Sequence, residues 1–233
     1  MRIASISDRA LVRLVPATYH KPPSLRGLVD SDAEMAVLAE IEGLTSNRLI
    51  AERGRNLHLD RRELAWTRRR HDLTIYGQSH VNAAFSYTRT GGNRFNDEGR
   101  GAWYCSWQTL TSIAEVAFHR TRELGFIGIY RDLARYVELL ADFIGDFPDI
   151  RDEPGHPALT PDPGVGYPEG QALALALRRQ GHRGLIYPSV RQPGQRCLVA
   201  FEPGAVQNVR PGASWNIVWE GTPDYSVVGV EAG

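Results

Sequence analysis

A carboxylate, a histidine, an arginine and a tyrosine fall within one stretch, Gly91 to Arg122, that also carries a glycine pair. Glu115 and His119 are one helical turn apart and share a face; such a pair is either a surface contact worth a few tenths of a kcal/mol or the working edge of a cleft. A carboxylate held against a centre that develops positive charge stabilises it by roughly 3 to 4 kcal/mol. Arg94, Phe95 and Asn96 follow Gly91 and Gly92. Glycines let a ligand approach the main chain closely, and arginine forks with glycine-rich NH groups suit phosphate oxygens. Tyr104 can stack on a flat ring while its hydroxyl keeps a polar partner, or serve as a core aromatic like Trp103 and Trp107.

The elements that must position these groups are read from periodicity and punctuation. Ala102 to Trp107 is a β-rich strand with Trp103, Cys105 and Trp107 facing one way and Tyr104 and Ser106 the other. Thr109 or Thr111 caps a helix running to about Leu124, with Ile113, Val116 and Ala117 as its apolar stripe. Upstream, Arg9 to Val15 is a short strand stopped by Pro16 and containing Arg13, Asp30 to Thr45 is a helix, and His80 to Tyr87 is a strand. Downstream, Ile127 to Tyr130 reads as a strand and Leu133 to Ile144 as a helix. Asp149 to Gly166, with four prolines, reads as a loop or lid. Glu169 to Gln180 is a helix closed by Gly181, Gly184 to Pro188 and Cys197 to Phe201 are strands around a turn, and the segment through Trp215 and Trp219 is more strand. Ser189, in that turn, is either a turn-forming hydroxyl or part of a pocket.

The 233 residues suit one domain, and 42% hydrophobic and 23% charged residues are the proportions of an ordinary globular protein. Basic and acidic residues number 27 each, so no global field draws the chain to nucleic acid or anionic lipid. Arg48 to Arg70 holds eight arginines against three acids, a solvated face or a phosphate-contacting patch in which Trp66 is the sole aromatic. Cys105 and Cys197 show no metal or disulfide spacing, which predicts no metal site and a reducing compartment. With no membrane-length apolar run, the expected location is the cytoplasm.

Taken in order, these pieces resemble the RES-domain family, named for an arginine, a glutamate and a serine. Arg13 opens the pattern (arginine, hydrophobic, any, proline); GGNRFN stands for its GGRWN, AWYCS for its tyrosine-serine strand, AEVAFH for its glutamate-histidine helix, and QALALALRRQGHRGLIYPSVR for its closing glutamine-to-PSxR segment. The likeness covers most of Arg13 to Phe201. It implies an α+β fold with an ADP-ribosyltransferase-like core of mixed β-sheets and flanking helices, over a single domain of residues 1–233 with an N-terminal helical insertion at about 24–78. The family's roles place Arg13 and Arg94 on dinucleotide phosphates, Tyr104 on the nicotinamide side, Glu115 as catalytic carboxylate and His119 as its support. Gly91, Gly92, Asn96, Ser189 and Arg191 complete the substrate pocket. Three departures stand out: the extra Asn93, Phe95 in place of tryptophan, and Pro168 and Glu169 where some members carry a serine. Either Ser189 or Ser106 is left for the serine's task.

The resemblance implies the toxin of a bacterial type II toxin-antitoxin pair, acting on NAD as substrate and holding no cofactor. The leading expectation is phosphorolysis, with inorganic phosphate as co-substrate and nicotinamide and ADP-ribose 1''-phosphate as products. Hydrolysis of NAD and ADP-ribosylation of a cellular protein are the enzymatic alternatives. A non-catalytic nucleic-acid module using Arg48 to Arg70 is the alternative from another class. The implied partner is a helical, Xre-like antitoxin that blocks the cleft, with a homodimer allowed inside the toxin-antitoxin complex and no membrane or direct nucleic-acid contact expected.

Overall fold

Strands supply the frame of the molecule. The computed structural model describes residues 1–19, 31, 45–64 and 76–230. Its elements are β1 (Arg2–Pro16), α1 (Asn47–Glu52), α2 (Gln78–Ser86), β2 (Trp103–Ser106), α3 (Thr109–Ile127), β3 (Arg131–Asp149), α4 (Pro163–Arg179), β4 (Gly184–Pro188), β5 (Arg196–Ala200), β6 (Gln207–Glu220) and β7 (Tyr225–Val230). The seven strands form one mixed sheet in the order β1-β2-β5-β4-β3-β6-β7, and β1 also pairs with β3. Five strands thus close into a ring from which β6 and β7 extend. Among the described residues only the β3–β4 pairing, at Asp149 and Ile186, is parallel. The architecture is the expected α+β one, a mixed sheet with flanking helices.

Several segments differ from their sequence reading. Leu133 to Ile144 is not a helix but the middle of β3, paired with β1 on one edge and β6 on the other. Its Leu, Ala and Glu content favours helix locally, yet two neighbouring strands satisfy its backbone and override that preference. His80 to Tyr87 is not a strand: α2 covers it, because Val81, Ala84 and Phe85 repeat at helical spacing and all three are buried. Ile127 to Tyr130 is the end of α3 and a turn at Gly128, whose φ of 74° closes the helix. Neither Thr109 nor Thr111 caps α3, since Gln108 holds that position without a side-chain bond. The stretch from Asp149 to Gly166 contains a 3-10 turn at Pro157–Leu159 and the start of α4, capped by Asp162. The expected helix of Asp30 to Thr45 lies outside the described residues, save Ser31 and Thr45.

Two features set the strand that carries Arg13. A bulge between Asp8 and Leu11 shifts the register of β1 on β3, after which Arg13 pairs with Leu139. Asp142 holds that bulge: its carboxylate accepts the main-chain NH of Ala10 (φ 61°) at 3.0 Å, the amide of Asn208 (φ 49°) at 2.8 Å and the guanidinium of Arg210 at 2.8 Å. Burial works against the Asp142 charge, but these donors hold its carboxyl below the usual carboxylate range. Two non-glycine residues with positive φ are therefore anchored on one acid.

Candidate active site

The GGN turn is built to present Arg94. Gly91 and Gly92 have φ of 74° and 71°, and a Cβ on Gly92 would lie 2.2 Å from the Asn96 carbonyl. Asn93 NH donates to that carbonyl at 2.8 Å, closing the turn, while Gln171 of α4 donates to the Gly91 and Asn93 carbonyls at 2.9 and 3.0 Å. Phe95 anchors the loop in an apolar cluster with Tyr187, ring centroids 4.7 Å apart.

Tyr104 pins the same loop from β2. Its hydroxyl accepts the Phe95 NH at 2.9 Å and donates to Asn96 Oδ1 at 2.8 Å. Burial pushes the phenol up. Its hydroxyl thus has a polar partner on the arginine loop, while the residue itself is half-buried. Its opposition to Trp103 and Cys105 across the strand holds, since those two belong to a different core cluster.

Arg94 is buried, and one nitrogen donates to the carbonyls of Ala158 at 2.6 Å and Thr160 at 2.9 Å. Glycines on α4 make room for it: a Cβ on Gly166 would lie 2.6 Å from the guanidinium and one on Gly170 2.1 Å from the Arg94 carbonyl. Its guanidinium carbon is 5.4 Å from the ring centroid of Tyr167. Among the described residues no carboxylate lies within ion-pair distance of Arg94.

Glu115, on α3, meets the turn after β4. Ser189 Oγ donates to Glu115 Oε1 at 2.8 Å and accepts the NH groups of Arg191 at 3.3 Å and Gln192 at 3.0 Å. Burial pushes the Glu115 carboxyl up, against the pull of Ser189 and the charges of Arg191 and Arg94. Ser106, the other serine in question, instead contacts Ser112 Oγ at 2.6 Å and the Gln108 carbonyl at 2.7 Å. The serine on the carboxylate is Ser189.

His119 stands one turn along the same face. Burial, then the charges of Arg89, Arg191, Arg122 and Arg94, push its imidazolium down to about 4, so the ring is neutral at neutral pH. Arg191 donates to the Pro161 carbonyl at 2.9 Å and lies 3.3 Å from the ring centroid of Phe118. Of the four arginines acting on His119, only Arg89 has a carboxylate within ion-pair distance among the described residues, Glu123 at 3.7 Å. A carboxylate among so many arginines suits a substrate carrying phosphates and a centre that becomes positive.

Arg13 sits behind this wall. It donates to the Tyr104 carbonyl at 3.3 Å and stacks at 5.0 Å on Trp103. Burial lowers its pKa to about 10, partly offset by Cys105 and Tyr104. It neighbours Tyr104 rather than Glu115. Tyr167, Arg89 and Arg122 were given no role by the sequence reading, and Gln171 entered it only as the first residue of the closing motif. Helical spacing carried a signal for Arg122, which is three residues beyond His119 on the face of Glu115; Tyr167 fell between the loop read to Gly166 and the helix read from Glu169.

The alternative arginine patch is partly self-compensated: Arg48 pairs with Glu52 at 3.0 Å and Arg62 with Asp60 at 2.6 Å. Trp66 and Arg68 to Arg70 lie outside the described residues. Among the described residues no group of three or more His, Cys, Asp or Glu is placed to hold a metal ion, and no helix is long and apolar enough to cross a membrane.

A family model described as RES domain matches residues 58–220, well over half of the chain and every candidate residue except Arg13. No curated protein gives a match.

Proposed function

The chain belongs to the RES-domain family of toxin-like, NAD-related enzyme domains with an ADP-ribosyltransferase-like fold, and from that premise we propose that it splits NAD by phosphorolysis. The observation that carries the reading is the half-buried Glu115 carboxylate, held by Ser189 and acted on by the Arg94 and Arg191 charges. The bond between the ribose carbon and nicotinamide breaks with its electron pair leaving on the ring nitrogen, and a phosphate oxygen forms the new bond to carbon. The ring turns from cation to neutral molecule while positive charge grows on the ribose. Glu115, ionised, faces that charge and stabilises it. The arginines hold the diphosphate and the attacking phosphate, whose negative charges they offset. Tyr104 acts as a positioning residue, because its hydroxyl fixes the loop that presents Arg94. No cofactor is needed by this chemistry. Ser189 takes the family's serine role, and His119, neutral, lines the cleft without adding charge.

Members of the family pair with antitoxins. For this chain the reading adds a cytoplasmic toxin silenced by an Xre-like antitoxin that occupies the arginine-lined cleft, in a complex able to hold a toxin homodimer, with depletion of cellular NAD as the toxic effect. The test is incubation of purified protein with NAD, with and without phosphate, read by product mass. Phosphate-dependent formation of nicotinamide and ADP-ribose 1''-phosphate is expected. NAD loss without phosphate dependence would indicate hydrolysis, and transfer of label to a macromolecule would indicate protein ADP-ribosylation.

A further inference from the structure

The segment at about 24–78, expected as an insertion, has no task in the site described above, yet one of its carboxylates reaches the loop that presents Arg94. Leu59 and Leu64 are buried in the same core cluster as Phe85 and Trp103, which fixes the 3-10 turn Arg61–Glu63 between them. A reciprocal cap orients the acid: Asp60 accepts the Arg62 NH at 2.8 Å, and Glu63 Oε1 accepts the Asp60 NH at 3.2 Å. The other oxygen, Oε2, accepts Arg100 Nη2 at 2.6 Å. Arg100 is 5% exposed, and the same nitrogen donates to the Phe201 carbonyl at 3.1 Å. Its Nε is buried without a partner among the described residues, and Glu63 is the one carboxylate among them within ion-pair distance of this cation.

Arg100 closes the loop in turn. Its carbonyl accepts the Asn96 amide at 3.0 Å and its NH donates to Asp97 Oδ1 at 3.2 Å. Asn96 Oδ1 accepts the Tyr104 hydroxyl, which accepts the Phe95 NH. The outer side of the loop is packed just as closely: a Cβ on Gly99 would lie 3.0 Å from the His58 ring, and one on Gly101 2.1 Å from the Ala84 carbonyl of α2. An unbroken run of bonds therefore leads from Glu63 through Arg100 and Asn96 to the residue beside Arg94.

We infer that Glu63 is a positioning residue for the site, clamping the arginine loop through Arg100 and so fixing where Arg94 stands. This rests on the reading of Arg94 as a holder of substrate phosphates. Tyr104 ties the loop to β2, and Glu63 ties it to the segment before α2. Without the carboxylate Arg100 is a buried cation with no counter-charge, a state relieved only if the guanidinium turns toward water. That movement pulls on the main-chain groups that hold Asn96, and a displaced Arg94 no longer meets the diphosphate in the geometry that catalysis needs.

The test compares the full chain with Glu63→Gln and Glu63→Asp, using amide hydrogen exchange and ADP-ribose as the binding probe. In Glu63→Gln the Phe95 amide is expected to exchange about tenfold faster or more while the amides of β5 are unchanged, the pattern of a local rather than a global opening. ADP-ribose affinity falls about fivefold or more, because the diphosphate loses a fixed arginine fork. In an Arg94→Gln background the same substitution changes that affinity by less than about twofold, since Glu63 acts through Arg94. Glu63→Asp keeps the charge on a shorter arm and shows both changes at a smaller size. A lower melting temperature with Phe95 exchange unmoved in both variants overturns the clamp, as does an equal loss of ADP-ribose affinity with and without Arg94. Exchange at Phe95 needs no ligand, so a wild-type protein that neither cleaves NAD nor binds ADP-ribose, yet whose Phe95 amide opens on Glu63→Gln, sinks the proposed reaction and not the clamp.

Discussion

Ser189 Oγ lies 2.8 Å from Glu115 Oε1, joining a turn after β4 to a helix 74 residues earlier in the chain. The same oxygen accepts two main-chain NH groups, so the hydroxyl hydrogen is aimed at the carboxylate by the turn itself. This contact bears on the charge state of Glu115: burial, the larger influence, favours the neutral form, and the serine with the arginines favours the ion.

Replacing Ser189 with alanine removes a donor that lowers the Glu115 pKa. The acid limb of the rate profile, which for an ordinary glutamate would lie near about 4.3, is expected above that value in wild type and further up in Ser189→Ala. The measurement is phosphate-dependent NAD loss against pH. A limb that stays put would show that Glu115 is not the titrating group.

Glu115→Gln separates activity from stability. Loss of the charge facing the ribose is expected to slow NAD loss by about a hundredfold or more. A carboxyl whose folded pKa is raised stabilises the fold fully below its unfolded pKa and loses that contribution as pH rises through the folded value. The glutamine variant should therefore melt higher than wild type at pH 8, with the difference shrinking toward pH 4. A lower melting temperature at pH 8 would contradict the burial of an ionised carboxylate.

His119 works in the opposite sense. Its folded pKa is depressed to about 4, so its contribution is present above the unfolded value near 6.5 and is lost as pH falls through about 4. Discounted for partial exposure, the loss is on the order of 2 kcal/mol. Urea unfolding between pH 7 and pH 4 should show a shallower decline in His119→Gln than in wild type; equal slopes would count against a desolvated imidazole.

Gly170→Ala tests the seat of the arginine loop. The added methyl would fall 2.1 Å from the Arg94 carbonyl, a main-chain atom that cannot swing away. Overpacking of this kind costs about 1 to 3 kcal/mol, or roughly 2 to 10 °C in melting temperature for a chain of this size. Activity should fall with it, because the loop must shift. Wild-type melting and turnover would mean that α4 yields freely.

Tyr104→Phe leaves the Phe95 NH and Asn96 Oδ1 without their shared partner, at a cost of about 1 to 3 kcal/mol. Since the loop presents Arg94, kcat should drop more than in Tyr167→Phe. Equal kcat in the two variants would remove Tyr104 from the positioning role.

Much of the site was legible along the chain. Glu115 and His119 share a helix face at a spacing that needs no tertiary information, and β2 and the strand at Gly184 to Pro188 stand where alternation and punctuation put them. Short-range periodicity suffices there because each element's own pattern agrees with its surroundings. Where the two disagree, the reading failed: β3 has a helix-favouring composition but lies between β1 and β6, and α2 carries residues that also suit a strand.

The amino-acid order alone determined which residues are candidates for chemistry, since an arginine close after paired glycines, a tyrosine on a strand and an acid on a helix follow from local pattern. Tertiary structure alone decided which of them meet. Ser189 rather than Ser106 reaches Glu115, the Tyr104 hydroxyl bonds the arginine loop, and Tyr167 lies against the Arg94 guanidinium. Each of these outcomes depends on contacts between segments remote in sequence, set by how a closed ring of strands brings α3, α4 and the turn after β4 together, and no local pattern encodes such distances.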